Sequence, residues 1–195
     1  MQRIEDTLKK NIIASIEAKK KFLQQVDQIE IFNNAVSEVI KRYRIGGRLY
    51  IAGNGGSAAD AQHLAAEFVS KLARDRAPLP AEALTVDSSI ITAIGNDYGF
   101  DQVFSRQIAG KVTNKDIFLG ITTSGKSPNI INAIEMCKSL GIPSIIFTGR
   151  DGGEAKKKAD YCISATGEMT STIQEIHIVL AHSLCECVEE SIFSN

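Results

Sequence analysis

The first 46 residues follow a helical pattern of apolar positions. Ile4, Leu8 and Ile12 begin a series of apolar side chains that recurs at steps of three or four residues, with no proline and no glycine before Gly46. The pattern predicts two amphipathic helices with a break near residues 25–28, and the glycine pair that begins at Gly46 ends it. Because one sheet needs less helical cover than this, we expect the helices to form a hairpin that packs on a partner subunit.

After this helical region, short apolar runs alternate with longer helical stretches. The runs that predict strands are 48–52, 81–85, 116–121, 143–148 and 160–164. The main helices predicted around them are 57–72, 128–140 and 170–192. Strands separated by helices of ten or more residues form parallel sheets. The sequence therefore predicts an α/β fold with a doubly wound, five-stranded parallel sheet flanked by helices. We expect one domain over 1–195, with oligomerisation helices in 1–46 and an α/β sandwich in 47–195.

Composition and charge exclude several classes of protein. Of the 195 residues, 44% are apolar and 23% are charged, as in ordinary globular domains. The 22 basic and 23 acidic residues give a net charge of −1, which excludes a strongly basic nucleic-acid-binding domain. The longest apolar runs are too short for a membrane span, and residues 1–21 lack the apolar core of a signal peptide. Four cysteines without CxxC spacing predict reduced thiols in a cytoplasmic protein.

The first predicted strand ends in a glycine-rich turn that opens a helix. The turn has the sequence Gly53-Asn54-Gly55-Gly56-Ser57. Glycines let the backbone approach a ligand closely, and a helix N-terminus presents free N–H groups to an anion. Ser57 is the predicted N-cap of the helix. The spacing differs from the GxGxxG turn of dinucleotide-binding proteins, so a phosphate group or a plain tight turn are the two interpretations left open.

A second polar turn follows the third predicted strand. Thr122-Thr123-Ser124-Gly125-Lys126-Ser127 places four hydroxyls and a lysine before a helix that begins near Pro128. Hydroxyls and backbone N–H groups together can hold a phosphate. The order does not match GxxxxGK[ST], which disfavours a nucleoside triphosphatase. Because ligands bind beyond the carboxyl ends of parallel strands, two such turns in one sheet favour a phosphate site.

The three histidines are the strongest candidates for metal or acid–base chemistry. His63 and Glu67 are one turn apart and share a helix face, whereas His177 and His182 lie on the closing helix with Gln174. Such pairs also occur by chance, so ordinary surface or hydrogen-bonded side chains stay an open interpretation. Separately, residues 93–100 are polar and punctuated by glycine, and we expect a loop there that could carry function.

Together these motifs resemble the sugar isomerase (SIS) domain family and, within it, the phosphoheptose isomerases of bacteria. The resemblance spans nearly the whole chain and rests on Gly53–Ser57, His63 to Glu67, Gly95-Asn96-Asp97, Thr122–Ser127 and Ile173–His177. It implies a cytoplasmic homotetramer with active sites between subunits. It also implies conversion of sedoheptulose 7-phosphate to D-glycero-D-manno-heptose 7-phosphate through an ene-diol, supplying heptose to lipopolysaccharide or capsule.

The resemblance implies roles for individual residues as well. One zinc ion per subunit would be held by His63, Glu67, Gln174 and His182. Glu67 and His182 would form the catalytic acid–base pair. The implied substrate contacts are Asn54, Gly55, Gly56, Ser57, Glu67, Asn96, Asp97, Thr122, Thr123, Ser124, Ser127 and Gln174.

Three other functions are alternatives to this one. Some proteins of the same fold resemble non-catalytic scaffolds that bind a replication initiator protein, but here the acid–base and metal positions are occupied. A pentose phosphate isomerase of this kind usually carries extra regulatory domains, and a transcription factor would need a basic helix-turn-helix domain. Ser171 and Thr172 stand where family members often have an acidic residue and an arginine, which predicts altered contacts to the substrate.

Overall fold

A computed structural model describes residues 2–194 and confirms the predicted alternation of strands and helices. The strands are β1 (Leu49–Gly53), β2 (Ala81–Ala83), β3 (Ile117–Thr122), β4 (Ser144–Gly149) and β5 (Tyr161–Ala165). The helices are α1 (Gln2–Leu23), α2 (Val26–Arg44), α3 (Gly56–Val69), α4 (Ser88–Tyr98), α5 (Ser105–Lys111), α6 (Pro128–Leu140) and α7 (Thr170–Phe193). Short 3-10 turns lie at Phe100–Gln102 and Ala155–Lys157.

The five strands form one parallel sheet in the order β2-β1-β3-β4-β5. After β1 the chain adds β2 on one side, and it then crosses over to add β3, β4 and β5 on the other side. The crevice between β1 and β3 is therefore the topological switch point, where ligands bind in sheets of this kind. Both polar turns found in the sequence follow these two strands, so the topology brings them to the same place.

Side-chain alternation along the strands produces two apolar cores, one on each face of the sheet. Leu49 and Ile51 of β1 face the layer formed by α2, α3 and α7. Tyr50 and Ala52 face the layer that contains α5 and α6. The central strands are buried on both faces, which is why they are continuous apolar runs in the sequence. This arrangement confirms the predicted doubly wound class.

The N-terminal helices are joined at Gln24-Gln25, at the edge of the predicted break. Helix α2 buries Ala35, Val36 and Val39 against the sheet. Helix α1 packs on α7 but leaves an apolar stripe in solvent that includes Ile4 and Leu8, which are 74% and 60% exposed. The stripe suits packing on a partner subunit, and that expectation stays a prediction.

The segment 93–100 is largely helical, so the predicted loop is wrong. Helix α4 begins after Asp87, whose carboxylate accepts a hydrogen bond from the Ile90 N–H at 2.9 Å. The helix continues through Gly95 and ends where Gly99 takes a φ of +92°. The polar composition suggested a loop, whereas the N-cap and the apolar residues after it extend the helix. The candidate residues Asn96 and Asp97 therefore lie on the last turn of α4.

No helix of the described residues is long and apolar enough to cross a membrane. The four cysteines are free thiols, and Cys185 is buried whereas Cys187 is exposed, as their spacing on one helix predicts. Burial raises the pKa of Cys137 and of Cys185 to about 12, so both thiols stay protonated.

Candidate active site

The two polar turns are tied together at the switch point by a pair of asparagines. The Asn54 side-chain amide donates to the Asn129 side-chain oxygen at 2.9 Å, and Asn129 donates back to Asn54 at 2.8 Å. Asn54 belongs to the turn after β1, and Asn129 to the first turn of α6. The reciprocal bonds hold the N-termini of α3 and α6 side by side.

The turn after β1 differs from the prediction in where its helix begins. Gly55 is the N-cap residue and takes a φ of +57°, which favours glycine. Ser57, predicted as the N-cap, instead lies buried within the first turn of α3. The N–H groups of Ser57 and Ala58 already donate to the Asn54 and Gly55 carbonyl oxygens at 3.0 Å, so the helical turn starts before Ser57. The turn is closely packed, because a Cβ on Gly53 would lie 2.4 Å from the Ser57 carbonyl oxygen. The Ala59 N–H also donates to the Gly55 carbonyl oxygen. The Gly55 and Gly56 N–H groups form no backbone hydrogen bond among the described residues and can face a ligand.

The shape of the turn after β3 is fixed by contacts with the turn after β4, which the sequence did not predict. Gly125 takes a φ of +64°, and a Cβ there would lie 2.1 Å from the Gly152 carbonyl oxygen. The glycines after β4 thus press directly against the turn. The Thr122 and Ser127 hydroxyls are hydrogen-bonded at 2.9 Å across its base. Pro128 occupies the first turn of α6, as predicted. We call the turns 53–57 and 122–127 together the phosphate cradle.

Helices α3 and α7 bring together three of the four residues that the sequence suggests as metal ligands. The Nε2 atoms of His63 and His182 are 2.9 Å apart, and His63 Nε2 lies 3.4 Å from Glu67 Oε1. Ligating atoms of all three residues lie within 4.8 Å of one another. Ligands about 2.0–2.1 Å from a tetrahedral zinc ion lie roughly 3.4 Å from each other. The nitrogen and oxygen donors of this cluster therefore fit a single divalent ion.

Gln174 lies against the turn that follows β1. Its Nε2 atom is only 2.6 Å from the position that a Cβ on Gly56 would occupy. Gly56 therefore leaves space that the amide of Gln174 fills. Gln174 and His182 are about two turns apart on α7, so the same helix contributes a side chain to the cradle and one to the histidine–glutamate cluster.

A buried ion pair fixes the relative position of α3 and α7, and sequence reasoning missed it. The Arg76 guanidinium contacts Glu189 at 2.6 Å, and their side chains are 2% and 1% exposed. Arg76 also donates to the carbonyls of Glu67 and Phe68 at the end of α3. Burial alone would raise the pKa of Glu189, but backbone N–H groups and the guanidinium outweigh it and lower that pKa. The available signal was a glutamate directly after Val188 and one helical turn after Cys185, on a face of α7 that is otherwise apolar.

Three candidate residues form no hydrogen bond with this site among the described residues. Asn96 and Asp97 are exposed and hydrogen-bonded to each other at 2.8 Å, and no hydrogen bond among the described residues joins them to the cradle. His177 is fully buried, with Nε2 2.8 Å from the Thr148 carbonyl oxygen. Burial lowers the pKa of His177 to about 4, so it is neutral near pH 7. It is a core residue of α7 rather than a ligand.

Fold and site together define a SIS-type α/β protein. A family model described as the SIS domain matches residues 9–149, well over half of the chain. The match includes the switch point, both cradle turns, and the His63 and Glu67 positions.

The relatives narrow the class further. The chain is 47% identical to the phosphoheptose isomerase of Aneurinibacillus thermoaerophilus, over 97% of this chain and 96% of that one. It is 45% identical to phosphoheptose isomerase 2 of Campylobacter jejuni, with 99% and 96% covered. The solved phosphoheptose isomerase of Neisseria gonorrhoeae superposes with a TM-score of 0.89 at 37% identity, covering 96% and 99% of the chains. The chain belongs to the SIS domain family and, within it, to the phosphoheptose isomerases.

Proposed function

We propose that this protein is an aldose–ketose isomerase that converts sedoheptulose 7-phosphate to D-glycero-D-manno-heptose 7-phosphate. The observation that carries the proposal is the convergence of His63, Glu67 and His182 on the two helices that also contribute Gly56 and Gln174 to the phosphate cradle. The names of the relatives support the same substrate. The occupied acid–base positions favour catalysis over a scaffold that binds a replication initiator.

The isomerisation moves a proton between adjacent carbons through an ene-diol. It needs a base at the carbon and a group that exchanges protons with the two oxygens. In this proposal the Glu67 carboxylate removes and returns the carbon-bound proton, and the His182 imidazole serves the oxygens. Their ligating atoms are within 4.8 Å of one another, so one small substrate can contact both groups.

A zinc ion, one per subunit, is part of the proposal. His63, Glu67, Gln174 and His182 would hold it, and the imidazole, carboxylate and amide donors suit that ion. When bound, a divalent ion polarises the carbonyl and stabilises negative charge on the neighbouring oxygens. Its presence would also separate the His63 and His182 nitrogens, which are 2.9 Å apart here.

The phosphate of the substrate would lie in the cradle. The hydroxyls of the turn 122–127 and the Gly55 and Gly56 N–H groups would contact it, and binding at this remote end orients the reacting carbons. The residues proposed to contact the substrate are Asn54, Gly55, Gly56, Ser57, Thr122, Thr123, Ser124, Ser127, Gln174 and Glu67. Asn96 and Asp97, which form no hydrogen bond with the cradle among the described residues, are proposed to reach the site of a neighbouring subunit.

We also propose a cytoplasmic homotetramer built on the N-terminal helices in 1–46, with 47–195 forming the α/β sandwich. The exposed apolar stripe of α1, with Ile4 at 74% and Leu8 at 60% exposure, supports subunit packing through these helices. The four free thiols support a reducing compartment. The product would supply heptose to lipopolysaccharide or capsule.

The proposal is tested with a panel of ketose phosphates, following aldose formation with and without a chelator. We expect turnover of sedoheptulose 7-phosphate to exceed that of pentulose and hexulose phosphates, and chelation to abolish it until zinc is restored. Equal turnover before and after complete removal of metal would contradict the metal role. Failure to convert the heptulose phosphate under any condition would contradict the function.

A further inference from the structure

Two adjoining cavities lie beyond the carboxyl ends of β4 and β5, outside the site described above. Their volumes are about 540 and 430 Å³, in the range of small-molecule sites. They lie between the junction of α1 with α2 and the turns that follow the two strands. None of the histidines and none of the cradle residues lines them. Gln25, Arg150 and Ser164 line both cavities and so mark their common wall.

Two of these three residues carry buried polar atoms without partners. The side-chain oxygens of Gln25 and Ser164 are buried and accept or donate no hydrogen bond among the described residues. Ser164 as a whole is only 7% exposed. Buried polar atoms are almost always hydrogen-bonded, so two orphans on one cavity wall point to a missing partner with hydroxyl groups.

The third residue, Arg150, supplies charge to the same wall. It is the one non-glycine residue among those described with a positive φ, at +55°. Its guanidinium donates to the Glu168 carbonyl oxygen at 3.0 Å and contacts no described carboxylate, which leaves other N–H groups available. A guanidinium with free donors is suited to phosphate.

Further cations surround this wall. Lys10 and Lys21 line the larger cavity and Lys156 the smaller one, and none of them forms a salt bridge within the described residues. Of the acidic groups nearby, Glu17 is paired with Lys20 at 3.0 Å. Glu168 and Asp27 remain as acceptors at the rim. The lining therefore combines unpaired cations with acceptors for hydroxyl protons.

We propose that these cavities form a second site, which binds a phosphorylated polyol of the sugar-phosphate class. Arg150 holds the phosphate, and Gln25 and Ser164 hydrogen-bond the hydroxyls. The site borders one of the two helices that carry the reaction site, because Thr172 lines it two residues before Gln174 on α7. A ligand there is placed to act as an effector rather than as the substrate.

The test counts molecules of sorbitol 6-phosphate bound per full-length chain by calorimetry. We expect two in the wild type, one in the cradle and one at Arg150. Arg150→Gly tolerates the positive φ and keeps the fold, and we expect it to weaken the second binding event about tenfold or more. Lys115→Ala, an exposed control on a distant loop, keeps both events. A wild-type chain with one event that Arg150→Gly leaves unchanged would overturn the proposal.

Two further sets of variants distinguish failure of the second site from failure of the proposed function. Thr122→Ala with Ser127→Ala removes the cradle event and leaves the one that depends on Arg150. If instead only the Arg150-dependent event exists in the wild type, the phosphate role of the cradle fails and the second site stands. Ser164→Ala should weaken sorbitol 6-phosphate several-fold while leaving inorganic phosphate unchanged at Arg150. Equal loss of both ligands would contradict the role of the hydroxyls.

Discussion

Helix α7 is held against α3 by two contacts that are opposite in character: one is direct, and the other passes through Arg76, which lies after α3 and bonds to the carbonyls at its end. At one, Arg76 and Glu189 are 2% and 1% exposed and pair at 2.6 Å. At the other, His63 and Glu67 are 47% and 19% exposed, and the Nε2 atoms of His63 and His182 are 2.9 Å apart. The closed contact sets the distance between the helices. The open contact leaves the nitrogen and oxygen donor atoms of its side chains accessible to a metal ion or a substrate. The closed contact does not.

The largest effect is expected from breaking the open contact. Glu67→Gln keeps the size of the side chain but removes the base, so we expect kcat for sedoheptulose 7-phosphate to fall by about 10²- to 10⁴-fold. The melting temperature should change little, because Glu67 is partly exposed and its carbonyl, which Arg76 uses, is unchanged. Steady-state kinetics and thermal unfolding check the two halves of this prediction. A variant as fast as the wild type would refute the assignment.

Breaking the closed contact should act on stability instead. Arg76→Met leaves Glu189 buried without its partner, and we expect a loss of about 3–5 kcal/mol in the free energy of unfolding. Urea unfolding measures it. The matched control is the double variant Arg76→Met with Glu189→Leu, which removes the orphaned charge and should recover much of the loss. If both variants were equally unstable, packing rather than the ion pair would hold this contact.

The buried histidine of α7, His177, should make the free energy of unfolding depend on pH. The pKa of His177 is about 4 in the folded chain and near 6.5 in the unfolded chain. Between these values the unfolded chain binds the extra proton, so the stability contribution is complete above pH 6.5 and is lost as pH falls toward 4. The limit is roughly 3 kcal/mol. His177→Gln cannot titrate, and its free energy of unfolding should fall less steeply between pH 7 and pH 5. Parallel pH slopes for the two proteins would contradict this.

The smallest effect is expected at the phosphate cradle. Ser127→Ala removes a hydroxyl that is hydrogen-bonded to Thr122 at 2.9 Å. We expect KM to rise about tenfold with kcat nearly unchanged, because the phosphate is remote from the reacting carbons. Initial rates over a range of substrate concentrations separate the two constants. A fall in kcat with constant KM would place Ser127 at the reacting carbons.

The architecture could be predicted from the sequence because it depends on periodic patterns. Buried parallel strands are continuous apolar runs, and the helices between them repeat at three and four residues. The exception was α4, where Gly95, Asn96 and Asp97 suggested a loop. The segment is helical because Asp87 caps the helix N-terminus and apolar residues follow it, which outweighs the polar local composition.

The sequence suggests the candidate site residues, but it does not reveal the tertiary contacts that hold their helices and turns in place. His63 and Glu67 share a helix turn, so spacing alone places them together. The contacts of Arg76 with Glu189 and of Gly125 with Gly152 join residues far apart in the chain. They depend on tertiary packing, which spacing along one chain does not encode. The pairing of Asn54 with Asn129 is of the same kind.

The central claim is that α3 and α7 together form one divalent metal site beside the phosphate cradle. Crystals grown with zinc, with anomalous diffraction collected across the zinc edge, test it most directly. We predict a single ion per chain within bonding distance of His63 Nε2, His182 Nε2, the Glu67 carboxylate and the Gln174 side chain. An anomalous peak elsewhere, or none at this cluster, would contradict the account.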